Sequence, residues 1–519
     1  MSLRDDDRAV TVQIGAVLLL GFLVVALSLY QVTVVTEQNE RVEFRHNERV
    51  QADMLDVRDA VVTAGTAGGV RPVSVELGTR YPARAVFVNP PPPSGTIGTV
   101  GLGAVAVDNA AAATAGGEVA TASDAYDFWN GSVRTYETVA IRYRPSYSEY
   151  RNAPTTVYEN TVVYNVYDDG ATVALTDQTL VDGRSLSLVT LGGELSVGSS
   201  RTVSLSPRAV SAATRTVRVT NAAATENLRV AIPTGLDAEA WTTLLADSGE
   251  FDADGCAVDD GDGRYVCDVA DPDPADGTVT LVFQRGATYS LRMAKVGVGT
   301  GAGEPDPAYV VVADAPASVV PNQRATLTVE VRDAYNNPTG ATLRRSEPRG
   351  TLELRDGSAP GVFRFEYVAP EMNGNDPLRF STASVVSNFD PAVDPDDARV
   401  DVQVQAIPGT DVADGDADSD AVNLSKVTLS DRSTNQRVIA SYDLEASDSD
   451  GDGDLTELKI ELIDGGGSVV ASDSVAPGAG QPTLALTGEF DAARTDGPYH
   501  LRITARDADG AIEEEIRVL

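Results

Sequence analysis

From Val12 to Val35 the chain is almost continuously apolar, and no other stretch of it stays apolar for nearly so long. Its length suits the roughly 17–25 residues that a helix needs to cross a hydrocarbon core of about 30 Å. The pattern then changes to a stripe. Val50, Met54, Val57 and Val61 recur at spacings of four, three and four, which puts them on one face of a helix. Gly65, Gly68 and Gly69 form the cluster that should end it. The prediction is one helix of about fifty residues over 10–64, apolar in its first half and amphipathic in its second.

Beyond Gly69 the period drops to two. Thr138–Tyr143, Thr161–Tyr167, Arg215–Thr220 and Thr278–Phe283 alternate β-branched or aromatic residues and are bounded by Gly, Asn and Asp. Such runs read as strands. A short helix is expected at Glu239–Ala246, capped by Thr234 or Asp237, with Trp241, Leu244 and Leu245 on one face. Residues 70–296 are therefore a mostly β region, large enough for one big sandwich or two small ones. A Gly-rich linker at 297–307 separates it from a second β unit at 308–406. An acidic linker over 407–423, densest at Gly409–Asp420, leads to a third at 424–519. There Val438–Leu444, Leu458–Ile463 and Tyr499–Ala505 alternate well, and Asp507–Gly510 suits the last hairpin turn, so the final strand is expected at a sheet edge. The fold class is mostly β: a long N-terminal transmembrane and amphipathic helix followed by β-sandwich domains.

Charge narrows the setting. The formal net charge is −37, and three lysines (Lys295, Lys426, Lys459) stand against 37 arginines. An excess of carboxylates this large repels nucleic acid and anionic lipid. It suits a chain kept soluble in concentrated salt, where screening acts within a few Å. Poverty in lysine with abundant Asp, Ala, Val and Gly resembles the proteins of extremely halophilic archaea. Arg4 and Arg8 precede the apolar run while Arg41, Arg45 and Arg49 follow it, so positive charges do not set its orientation.

Candidate chemistry is sparse. The two cysteines, Cys256 and Cys267, flank an Asp- and Gly-rich turn and suit a disulfide, which implies an oxidising, extracellular compartment. Two free thiols are the alternative. Asn130-Gly131-Ser132 and Asn423-Leu424-Ser425 meet the N-glycosylation rule. Asp448, Asp450, Asp452 and Asp454 alternate in a Gly-bearing loop and could wrap Ca²⁺ as the first half of an EF-hand loop does. The twelfth position is Lys459 instead of Glu, and an acidic chain fills any exposed loop with Asp, so a solvated loop competes. Asp252, Asp254, Asp259, Asp260 and Asp262 form a weaker set of the same kind. Both histidines have ordinary readings: His46 among solvated helical neighbours, His500 within a strand's alternation. No nucleophile elbow, phosphate loop or zinc-binding histidine pair occurs, so no catalytic residue is assigned. Tyr136, Tyr143, Tyr147, Tyr150, Tyr158, Tyr164 and Tyr167 crowd one stretch; cross-strand packing explains them, and a tyrosine-rich binding face is the alternative. The proline run Pro90–Pro93 reads as a rigid spacer.

Several segments resemble known families. Asp6-Asp7-Arg8-Ala9-Val10, then Ile14-Gly15 and the aliphatic run, resembles the N-terminal helix of archaeal type IV pilins and archaellins. That resemblance implies a leader over 1–9, cut between Ala9 and Val10. One departure is that the first mature residues carry only Thr11 and Gln13 as polar side chains, with no acidic residue. Gly78–Pro82 with the proline run, and Asn152–Asn160, resemble an uncharacterised family of pilin-like surface proteins of halophilic archaea. The strand Ala325–Val331 feeding Asp333-Ala334-Tyr335-Asn336-Asn337-Pro338, with Gly361–Pro370, resembles the Ig-like repeats of bacterial adhesins and invasins, and the third unit resembles an Ig-like or PKD-like sandwich. Together these imply a single-pass cell-membrane protein with an extracellular C-terminal part, structural or adhesive and without enzymatic activity. Its expected partners are the membrane, through the helix, and copies of itself or other surface molecules, not nucleic acid. The alternative is a minor pilin assembled through its helix. No cofactor beyond a Ca²⁺ ion is expected.

Overall fold

The computed structural model describes residues 6–252, 254–256, 263–347, 349–372, 374–382, 395–405, 422–434, 436–448, 455–464, 468–476, 483–494, 499–507 and 512–519. One long N-terminal apolar helix is followed by β-sheets throughout, as the hydrophobic periodicity requires.

The helix runs without a break as α1 (Asp6–Tyr30), a π turn (Gln31–Val35) and α2 (Thr36–Ala67). Every described residue from Gln13 to Tyr30 is exposed. The stretch is long and apolar enough to cross a membrane. From Val35 onward the burial follows a stripe, and that stripe is longer than its apolar members: Asn39, Glu43, His46 and Asn47 are buried along with Val50, Met54, Val57, Val61 and Ala64. Gly65 lies against Ala294 and Val189, where a Cβ would come within 3.2 Å and 3.3 Å of their side chains. Gly68 caps the helix at φ 75°, a left-handed conformation that glycine adopts without penalty.

α2 packs into the first β unit. Its apolar stripe shares a core with Ile97, Ile141, Tyr143, Tyr158, Val163, Leu191 and Val296, each fully buried Val or Met contributing about 1.5–3 kcal/mol. That unit holds a nine-stranded sheet centred on Ser94–Asp108 and Arg134–Ser146, and a six-stranded sheet in which Ser185–Gly192 and Tyr289–Gly297 pair in parallel. A second core between these sheets contains Trp129 and Trp241. The remaining helices are short: α3 (Asp124–Phe128) and α4 (Ala238–Asp247). Asp237 caps α4, its side chain accepting from Ala240 N.

The second unit joins the first through a buried seam. Tyr309 and Tyr335 belong to the first unit's core, with Phe128 stacked on Tyr309 at 5.0 Å. The Asp333–Pro338 turn enters that core, with Asn336 at φ 67° and fully buried. The third unit is joined differently. An eight-stranded sheet runs Ser318–Val319, Asp397–Val404, Gly374–Ser381, Leu343–Glu347, Ile512–Val518, His500–Asp507, Leu455–Ile463 and Val469–Val475. The last strand is thus interior, contrary to the edge position expected for it. Its second neighbour is supplied by the other unit, with charges matched across the ladder: Glu515 faces Arg344 and Glu514 faces Arg345, and each pair is ion-paired.

Candidate functional site

A dense polar network forms a collar where the helix leaves its exposed stretch and enters the first β unit. Four segments meet there: α2, the strand Val73–Glu76, the loop after Arg134–Ser146, and the irregular segment 78–93.

Glu43, fully buried, is its centre. Its two carboxylate oxygens accept the successive backbone N–H groups of Ser148 (2.9 Å), Glu149 (2.8 Å) and Tyr150 (2.6 Å), and the Tyr81 hydroxyl as well. Successive N–H groups turned toward one carboxylate satisfy donors that burial would otherwise leave costly. One turn on, His46 Nε2 lies 2.8 Å from the Glu76 carbonyl oxygen and Nδ1 lies 2.6 Å from the Tyr147 hydroxyl. A carbonyl only accepts, so Nε2 carries the proton and Nδ1 accepts from Tyr147; this tautomer is assigned from the network. Burial pushes the His46 pKa down, outweighing the Glu76 carbonyl and carboxylate that pull it up, and the ring is held neutral. Burial likewise raises the Tyr147 and Tyr81 pKa values, keeping both as donors. Asp53 Oδ2 accepts Glu76 N at 2.7 Å, and Arg49 reaches the Glu76 carboxylate at 3.2 Å.

The expectation that His46 sits among solvated neighbours is therefore corrected. It lies on the buried stripe, three residues after Glu43 and four before Val50. The apolar stripe alone could not show this, because polar residues on its extension look like solvent-facing positions. Asn39, Glu43 and His46 at spacings of four and three were the available signal. Of the two readings of the tyrosine-rich stretch, packing describes Tyr136, Tyr143, Tyr158 and Tyr164, which are buried core residues, while Tyr147 and Tyr150 pack beside α2. Chemically, the collar presents no free nucleophile or open base. It fixes the direction in which the helix leaves the β unit.

On the outer side of the collar, Gln31 grips the segment 78–93. Its Nε2 donates to the Val88 carbonyl oxygen at 2.8 Å and its Oε1 accepts Val88 N at 3.2 Å. Tyr30 stacks on Phe87 with centroids 4.8 Å apart.

The other candidate residues are scattered. Cys256 and Cys267 are bonded, with Cα atoms 4.9 Å apart. Asn130 is exposed, its Oδ1 accepting Ser132 N. Asn423 is half-buried within the strand Val422–Asp431. Ala9 and Val10 lie on the helical backbone of α1. Asp448 ends a strand opposite Val422, while Asp450, Asp452 and Asp454 fall outside the described residues, as do Asp259, Asp260 and Asp262. Asp252 is a buried acceptor for Gln284 Nε2 at 2.7 Å. His500 is buried in its strand. Among the described residues no three His, Cys, Asp or Glu side chains converge as a metal site would.

A cleft of about 490 Å³ lies between the second and third units. Its charges pair with one another: Arg502 and Lys459 with Glu461 at 2.5 Å and 2.7 Å, Arg355 with Glu353 at 2.9 Å.

No protein-family model matches the chain, and no curated protein matches it. Among solved structures, parts of it align with the adhesin InvE of Yersinia pseudotuberculosis at 15% identity, over 40% of this chain and 58% of that one, with a TM-score of 0.16. Domains 5-6 of the S-layer protein SbsC align at 11% identity, over 41% and 97%, with a TM-score of 0.16. The FN1-FN3 domains of chicken CNTN1 align at 12% identity, over 46% and 80%, with a TM-score of 0.14. The chain therefore spans little more than half of the adhesin's length, and at these scores the alignments place it in no family.

Proposed function

We propose that this is a membrane-anchored, pilin-like cell-surface protein whose work is structural or adhesive and not enzymatic. The observation that carries the reading is the continuity of the helix. Its exposed apolar stretch from Gln13 to Tyr30 is covalently and rigidly continuous with an α2 that Glu43 and His46 lock into the β unit. Eighteen such residues span about 27 Å at 1.5 Å each, close to a hydrocarbon core. An anchor built this way transmits force directly to the ectodomain, and the buried seams between β units carry it outward. Washing native membranes with alkaline carbonate tests this. The full chain should stay in the pellet and leave it only with detergent; release by carbonate alone would overturn the anchor.

The second reading is a minor pilin, in which the same stretch packs against helices of neighbouring subunits. Exposure of every residue from Gln13 to Leu29 favours it equally. Presence of the protein in sheared filaments would select this reading; its absence there, with the chain retained in the membrane, would select the anchor.

A further inference from the structure

We infer that the tip of the segment 78–93, Ala85–Val88, is a second membrane contact that lies in the headgroup–acyl boundary beside the helix; this rests on the anchor reading. Outside the long helix, Val86 (71% exposed) and Val88 (77% exposed) are the most exposed large apolar side chains among the described residues. They are not scattered surface valines. The backbone of Val88 is held by both polar atoms of the Gln31 side chain, and Phe87 is stacked on Tyr30. The tip is therefore fixed at the level where the exposed helical stretch ends, at Tyr30 and Gln31.

The segment is also polarised along the helix. Asn89 Nδ2 closes the loop onto the Pro82 carbonyl oxygen at 2.9 Å. Arg84 turns the other way, its guanidinium donating to Asn89 Oδ1 (3.0 Å), Gln38 Oε1 (2.8 Å) and Asn39 Oδ1 (3.2 Å), about two turns further into the ectodomain. An apolar tip at the end of a span, an aromatic pair at its base and a cation above it match the order of a bilayer interface, where aromatic rings sit at headgroup level. Apolar groups inserted about 5–10 Å into that boundary gain burial that water denies them. The surface is continuous with the apolar face of the helix, so the same bilayer covers both. The consequence is orientation: a helix alone lets the ectodomain swivel about its axis, while a second contact beside it fixes which side faces the membrane.

Tryptophan reporters in the full-length protein, reconstituted in phosphatidylcholine vesicles with or without bromine on the acyl chains (near the headgroup end to read the loop tip, near the chain middle to read the span), test this. The native Trp129 and Trp241 are fully buried in the β core and supply a constant background. Val86→Trp and Val88→Trp are surface changes, Leu20→Trp reports the span, and Val133→Trp, 55% exposed on the β unit, reports bulk water. The expected result is bromine-dependent loss of emission for Leu20→Trp, Val86→Trp and Val88→Trp, and none for Val133→Trp. Loss at Leu20→Trp alone would overturn the membrane contact while leaving the anchor intact. No loss at Leu20→Trp would overturn the anchor, and this inference with it. A blue shift at Val86→Trp without bromine-dependent loss would mean that a neighbouring protein copy covers the tip, which also overturns the inference.

Discussion

Asn337 Nδ2 donates to the carbonyl oxygen of Met293 at 2.9 Å, so a turn of the second β unit is hydrogen-bonded inside a strand of the first. The same amide donates to Ser211 Oγ at 2.9 Å, and its oxygen accepts Thr214 N at 2.9 Å. Arg215 adds a charged clasp to Glu330, with Nε at 2.9 Å and a second nitrogen at 2.5 Å.

Asn337→Ala should loosen this junction out of proportion to its size. It takes a hydrogen bond from the buried Met293 carbonyl and from the buried Ser211 hydroxyl, at about 1–3 kcal/mol. The denaturant midpoint should fall, and amide exchange at Arg215, whose N–H donates to Asn337 Oδ1 at 3.3 Å, should accelerate. Unchanged exchange there would mean that the two units are held by Tyr309 and Tyr335 packing alone.

The junction between the second and third units depends on buried charge. Arg344 and Glu515 lie 2.6 Å apart with 4% and 0% of their side chains exposed. Arg344→Met alone should cost up to about 3 kcal/mol, because it leaves the buried Glu515 carboxylate with only the partly exposed Arg517, 2.7 Å away, to oppose its charge. Adding Glu515→Leu should recover most of that loss, since a well-packed apolar pair can replace a buried ion pair. Exchange across Ile512–Val518 reads both steps. A double variant no better than the single one would show that the strand needs the charges for its register.

Glu513, beside this pair, carries a pH dependence of defined sign. Burial pushes its pKa up to about 7 from an ordinary 4.5, against the opposing pull of the Leu424 N–H and Arg344. The folded chain therefore binds this proton more tightly than the unfolded chain, and the associated stability is lost as pH rises from about 4.5 through about 7. Glu513→Gln keeps an oxygen for the Leu424 N–H and removes the titration. Relative to the unsubstituted protein it should be more stable by about 3 kcal/mol well above pH 7, at 1.36 kcal/mol per unit, with the gain vanishing near pH 4.5. Denaturation midpoints at both pH values check it, and an equal gain at both would assign the effect to something other than this proton.

What the sequence made legible followed from period and punctuation. Val50, Met54, Val57 and Val61 located the embedded face of α2, the glycines after Ala64 located its end, and Asp237 capped α4. What it hid is polar. In a chain with net charge −37, Glu43 and Glu513–Glu515 look like more of the same solvated acid. Only tertiary partners distinguish them: three backbone N–H groups for Glu43, and two arginines from another unit for Glu514 and Glu515. Asn337 was hidden in the same way, its motif marking a turn but not what the turn enters. The loop tip at Val86 and Val88 carries no periodicity at all, and its place beside Tyr30 depends on a contact 57 residues apart in sequence.

The collar gives the most direct test of whether the helix and the β unit move as one. Glu43→Gln preserves size but replaces one acceptor oxygen with a donating NH₂, which then faces an N–H of the Ser148–Tyr150 run. The expected cost is about 1–3 kcal/mol for the unpaired group, with faster exchange confined to those amides. Glu43→Ala frees all of these donors and the Tyr81 hydroxyl together, so its cost should be several-fold larger. His46→Ala, removing only the Glu76 and Tyr147 contacts, should fall between them. If Glu43→Ala left the exchange of Ser148, Glu149 and Tyr150 unchanged, the apolar stripe from Val50 to Val61 would suffice to fix the helix, and the polar collar would have no part in setting its direction.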